Sequence, residues 1–290
     1  MKTKLILFEG IPGSGKSTFA HNSDLFLKKA GVDSLLYEEG CLHPANLDGY
    51  CIIPVTNLDE LCSAFPECEK KIRAHAIITG DYALIQRQKN YHPNSNIFRY
   101  LQKYAVWDNG LDFLLFKELH LERWRRFSLN LKDTGKTAIF ECAFLQDHIT
   151  ELMLYYEKTK YEIVEYFAGL ESTISNLNPF LIYLRQENVK ETIDRVAVQR
   201  VDTDNDTSWA KNVAEMISES PYGKTNHLSG YEGLIDFFSR RKEVDLFVLS
   251  SLKMRHIIVD NNSYDWNSVR EEVLQIIKNL VIEECSADNN

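Results

Sequence analysis

The chain has 290 residues, 44% of them hydrophobic and 26% charged, a composition that can bury a sizeable core and allows one or two domains. With 33 Lys and Arg against 42 Asp and Glu its formal charge is -9, which argues against broad, sequence-independent binding to nucleic acid. No apolar stretch reaches the roughly 20 residues that span a bilayer, so no membrane partner is expected.

In chain order, the opening MKTKLILFEG sets a basic start before a short apolar run. It reads as a first buried strand, Leu5 to Glu9, and not as a signal peptide. A second uninterrupted apolar run, Ser34 to Tyr37, has the same character. Residues 41 to 136 then separate it from the third, Thr137 to Glu141, an interval far longer than a simple crossover. Amphipathic segments at 67–89 and 109–132, with Trp107 and Trp124 in the same interval, predict a helical insertion over about 41–135.

Phe180 to Leu184 is the fourth strand, and His256 to Val259 the fifth. Val189, Ile193 and Val196 form one helical stripe at i, i+4 and i+7, and 229–250 and 264–281 read as helices, the last with Asp265 as N-cap. Strands alternating with helices predict a three-layer α/β/α fold around a five-stranded parallel sheet. The domain is expected over 1–282, with a frayed polar tail over 283–290. The six cysteines form no C-x-x-C pair and no zinc-like spacing with histidine, which predicts reduced thiols and a cytoplasmic setting.

The stretch that carries chemistry is GIPGSGKST. Gly10-Ile11-Pro12-Gly13-Ser14-Gly15-Lys16-Ser17 satisfies G-x-x-x-x-G-K-[ST] at every position, between a predicted strand and a predicted helix. The glycines let successive N–H groups turn inward at phosphate oxygens, and the helix beginning near Lys16 adds its positive end. Gly10, Pro12, Gly13, Ser14, Gly15, Lys16, Ser17 and Thr18 are therefore expected to hold a nucleotide. Lys16 would reach the β- and γ-phosphates, and Ser17 would complete a magnesium shell.

Two other GKT strings are decoys. Gly135-Lys136-Thr137 has Asn130 where the leading glycine belongs and precedes a strand; Gly223-Lys224-Thr225 has Ser218 there. A GTPase is disfavoured, since Asn130-Leu131-Lys132-Asp133 has its lysine one place late and no aspartate has glycine three residues on. A motor-type ATPase is disfavoured because the third strand ends in one acid, Glu141, followed by Cys142. Phosphoryl transfer to a small acceptor remains.

On these residues the chain resembles the nucleoside and nucleotide kinase group of P-loop proteins, close in layout to thymidylate kinases and deoxynucleoside kinases. The resemblance implies ATP and Mg2+ as cofactors and transfer of the γ-phosphoryl to a hydroxyl of a nucleoside, a nucleotide, or another metabolite or antibiotic. It implies a base at the end of the second strand, where Tyr37-Glu38-Glu39-Gly40 offers Glu38 as the first acid and Glu39 as a substrate contact. Glu141 falls where those kinases place an acid near magnesium. Arg195 and Arg200 fall in the expected arginine-bearing lid, 195–208.

Arg123 and Arg126, in Glu122 to Arg126, lie near the position of a substrate-binding arginine. The chain departs from the pattern at Cys142-Ala143-Phe144, where those families follow the strand-end acid with arginine. Asn261 and Asn262 follow the fifth strand, as an adenine-side turn or as a plain turn. The partner expected is a small-molecule acceptor, with homodimerisation left open. The alternative is a nucleotide-binding regulatory protein with slow or no hydrolysis.

Overall fold

The computed structural model describes residues 2–41, 43–107, 111–202 and 207–283. Its elements open with β1 (Leu5–Glu9), α1 (Lys16–Lys29) and β2 (Ser34–Tyr37). Next come β3 (Tyr50–Pro54), α2 (Leu58–Ala64), α3 (Glu69–His75), β4 (Ile77–Thr79), β5 (Tyr82–Gln86), α4 (Arg87–Asn90) and α5 (Asn96–Leu101). Then follow α6 (Phe113–Lys132), β6 (Thr137–Glu141), α7 (Gln146–Leu154), α8 (Lys160–Ile174), β7 (Phe180–Arg185) and α9 (Val189–Gln199). The two-residue strands β8 (Val201–Asp202) and β9 (Thr207–Ser208) precede α10 (Trp209–Glu219), α11 (Pro221–Thr225), α12 (Gly230–Ser251), β10 (Arg255–Asp260) and α13 (Trp266–Ile277).

The chain divides into two compact units, residues 1–41 with 121–290, and residues 42–120. In the first, the five expected strands form one all-parallel sheet in the order β10-β7-β1-β6-β2. Every residue of β1 and β6 is buried, as uninterrupted apolar runs require when helices cover both faces. Ile6, Phe8, Ile139, Ile182 and Leu184 pack with Phe19 and Leu27 of α1 and Val269, Val273 and Ile277 of α13. Asp265 caps α13 as expected, its carboxylate accepting the N–H of Ser268.

Strand β1 lies between β6 and β7, so the order of connection reverses beside it. Open parallel sheets bind ligands in the crevice at such a switch point, beyond the carboxyl ends of the strands. The glycine stretch leaves β1 at that end.

The second unit corrects the expectation of a helical insertion. It contains a three-stranded antiparallel sheet, β3-β5-β4, over a core of Cys51, Ile53, Leu61, Ile72, Ile85 and Leu101. The expected helix over 67–89 stops with α3 at His75, and Gly80, at φ 55, lies in the turn of a β4–β5 hairpin. Short strands of three and five residues leave little alternation against a helical period. Of the expected helix over 109–132, α6 covers Phe113–Lys132, with 109–110 outside the described residues, and the division between the two units falls within it, between His120 and Leu121.

No helix among the described residues is long and apolar enough to cross a membrane. Cys41, Cys51, Cys62, Cys68 and Cys142 carry free thiols. Cys285 and the tail 284–290 lie outside the described residues, as do residues 203–206 of the expected lid.

Candidate functional site

The glycine loop closes against its own unit so tightly that side chains do not fit. At Gly13, φ 84, a Cβ would meet Val196 Cγ2 at 2.4 Å; at Gly15, φ 101, it would meet the Trp266 ring at 2.5 Å. Both backbones lie in the left-handed region that glycine tolerates. Pro12 and Ser14 are buried, whereas Ser17 and Thr18 are exposed on the first turn of α1. Ser14 Oγ is fully buried within the loop and has no hydrogen-bond partner among the described residues.

Lys16 is 5% exposed, and its ammonium folds back to the carbonyl of Ile11 at 2.9 Å. Across the crevice Glu141 ends β6. One of its oxygens accepts the Ser17 hydroxyl at 2.8 Å and the other accepts the Glu39 N–H at 3.0 Å, while the Cys142 thiol donates to the first at 3.0 Å. Burial pushes the Glu141 carboxyl up. The Lys16 charge and these donors outweigh it and hold the group below the usual carboxylate range.

Cys142 is itself buried, at φ 66, with its thiol pushed well up by burial. Ligand atoms of Glu39, Glu141 and Cys142 lie within 4.8 Å of one another. Both acids after β2 are exposed, and Glu39 is the one whose backbone N–H reaches Glu141 and whose carboxylate lies beside it.

Two side chains from distant elements tie down the loop carbonyls. Arg241 of α12 donates to Gly10 O at 2.9 Å and to Asp245 at 3.2 Å, and Tyr183 donates to the same Asp245 oxygen at 3.0 Å. Arg241 and Asp245 are each 1% exposed. Asn261, after β10, donates from Nδ2 to Ser14 O at 3.1 Å. That position is therefore a buried anchor of the loop.

No motif in the sequence marks Arg241. Its signal was present: positions 234, 237, 238, 241, 245 and 248 form one buried stripe of α12, and a charge pair on such a stripe demands a polar task.

Of the remaining expected residues, Arg195 is linked to the glycine loop, through Tyr264 and Thr192, whose side chain a Cβ at Gly13 would meet at 3.1 Å. Arg195 pairs with Glu191 at 2.9 Å and stacks over the Tyr264 ring at 3.8 Å, while the Tyr264 hydroxyl meets Thr192 Oγ1 at 3.0 Å. Trp266, 41% exposed, lies beside Phe19 with ring centroids 5.6 Å apart. Arg200 ends α9 and faces the Trp209 ring. Arg126 is exposed and paired with Glu122 at 3.5 Å, the arrangement of a solvated helix face, and Arg123 is half-buried. β8 and β9 pair as a short antiparallel ladder between α9 and α10.

No known family model matches the chain, and no characterised protein matches it in sequence. The chemistry therefore rests on the residues themselves. They assemble a glycine-lined cradle at a helix start, an ammonium bonded to a loop carbonyl, a buried hydroxyl without a partner, and a carboxylate held ionised beside a serine hydroxyl. Such a site suits a polyanion together with a hard cation.

Proposed function

We propose that the protein is a P-loop phosphotransferase that uses ATP and magnesium to phosphorylate a hydroxyl of a small acceptor. The observation that carries the reading is the meeting of Ser17 and Glu141 at 2.8 Å across the crevice, beside the ammonium of Lys16. A serine hydroxyl and a carboxylate are hard oxygen donors of the kind magnesium takes. The orphaned Ser14 hydroxyl and the glycine cradle that excludes any Cβ fit an anion bonded to the loop.

In this reading Lys16 leaves Ile11 O and places its charge on the terminal phosphates. Ser17 and Glu141 hold the metal, which when bound supplies neutralisation of the phosphate charge. Glu38 or Glu39 orients and deprotonates the acceptor hydroxyl, and the approach of Glu39 to Glu141 favours Glu39. Arg195, stacked on Tyr264, and Arg200 supply further positive charge. Most of the rate gain would come from positioning and electrostatics.

The test is release of ADP from ATP and magnesium when pools of hydroxylated metabolites are added. Release that rises with one pool supports a kinase; slow release indifferent to every pool contradicts it and favours a regulatory nucleotide-binding protein.

A further inference from the structure

Glu9, the last residue of β1, is fully buried. One carboxylate oxygen accepts the N–H of Phe144 at 2.8 Å and the other accepts the N–H of Gln146 at 2.9 Å. Those donors belong to the turn that leaves β6 just after Glu141 and Cys142 and to the first residue of α7. The same turn holds the left-handed Cys142, so its backbone is not one the chain adopts freely.

We propose that Glu9 is a positioning residue whose ionised carboxylate clamps the turn 142–146 and so holds Glu141 opposite Ser17. The proposal rests on the phosphotransferase reading only for what Glu141 does there.

A neutral polar side chain would cap the turn without burying a charge, so a carboxylate here needs a reason. Two simultaneous N–H bonds are that reason, because an ionised carboxylate accepts at both oxygens where a glutamine accepts at one. Burial pushes Glu9 up to about 7, against the N–H donors of residues 144–146 and the Lys16 charge, which pull it down. Tyr183 of β7, itself bonded to Asp245 beside Arg241, also interacts with Glu9, and Cys142 and Asp147 are titratable groups of the turn and of α7. The clamp is therefore expected to tighten as pH rises through neutrality.

Amide exchange of Phe144 and Gln146 in the wild-type protein without ligand tests the clamp directly. Corrected for intrinsic rates, protection should rise by about tenfold between pH 5.5 and 8.5, the difference between neutral and charge-assisted bonds. Glu9→Gln should show a flat, low profile at those two amides, with protection elsewhere retained.

The second measurement is the magnesium titration of ATP binding. Glu9→Gln should demand several-fold more magnesium, on the scale of lost outer-shell support, and leave metal-free ATP affinity unchanged. A flat wild-type exchange profile, or a variant with the wild-type magnesium titration, would overturn the proposal. Absence of ATP binding in the wild type would instead remove the phosphotransferase reading, while the amide profile still decides the clamp.

Discussion

Arg241 and Gly10, 231 residues apart in the chain, are joined by a hydrogen bond of 2.9 Å in the buried interior beneath the glycine loop. The bond fixes the first carbonyl of the loop, and Asn261 does the same for Ser14. The loop backbone is thus held at two carbonyls by α12 and by the turn after β10. The anchoring charge is balanced by Asp245, which Tyr183 also serves.

Removing one member of that pair should cost more than removing both. Arg241→Met strands a buried carboxylate and should destabilise the fold by about 3–5 kcal/mol, while Arg241→Met with Asp245→Leu should lose distinctly less. Urea unfolding of the single and double variants measures this. Single variants within about 1 kcal/mol of wild type would show that the pair is not a closed unit.

The five-stranded sheet was legible in the sequence because each of its strands is built on a short apolar run, and five such runs became its five strands. The hairpin of β4 and β5 was not, since three- and five-residue strands beside α3 fit a helical period as readily. The glycine loop was legible from spacing, but what fixes it was not. Arg241 sits in Arg240-Arg241-Lys242, and Arg240 pairs openly with Asp236 while its neighbour is buried. Glu9 looked like the plain end of a strand, because its partners are backbone N–H groups that leave no mark in side-chain identity.

Glu9 also sets a direction for stability against pH. Its folded value near 7 lies above the ordinary 4.5, so the folded state binds this proton more tightly than the unfolded one. Ionisation strengthens the two N–H bonds to the turn, but its desolvation cost outweighs them, so the global stability is full below about pH 4.5 and falls as pH rises through 7, a change of about 3 kcal/mol by linkage. The difference in unfolding free energy between wild type and Glu9→Gln should therefore vary with pH across that window. A constant difference from pH 4.5 to 8 would contradict the assignment.

Glu141→Gln should raise the magnesium requirement for ATP binding by at least about tenfold while metal-free ATP affinity stays near wild type, since charge is lost and shape kept. An unchanged magnesium titration would make Glu141 a structural acceptor for Ser17 and Glu39 only.

The acids after β2 can be separated by kinetics. Glu39→Gln should lower kcat by about a hundredfold or more, the usual contribution of a positioned base, and Glu38→Gln should leave kcat within a few-fold of wild type. The reverse pattern would return the base to Glu38.

The central claim is that Lys16 stabilises a phosphoryl group in transfer, and turnover of Lys16→Ala tests it most directly. With the acceptor pool that stimulates the wild type, acceptor-dependent ADP release should fall by on the order of a hundredfold or more, with the circular dichroism spectrum unchanged. A Lys16→Ala protein that turns over at the wild-type rate would contradict the account.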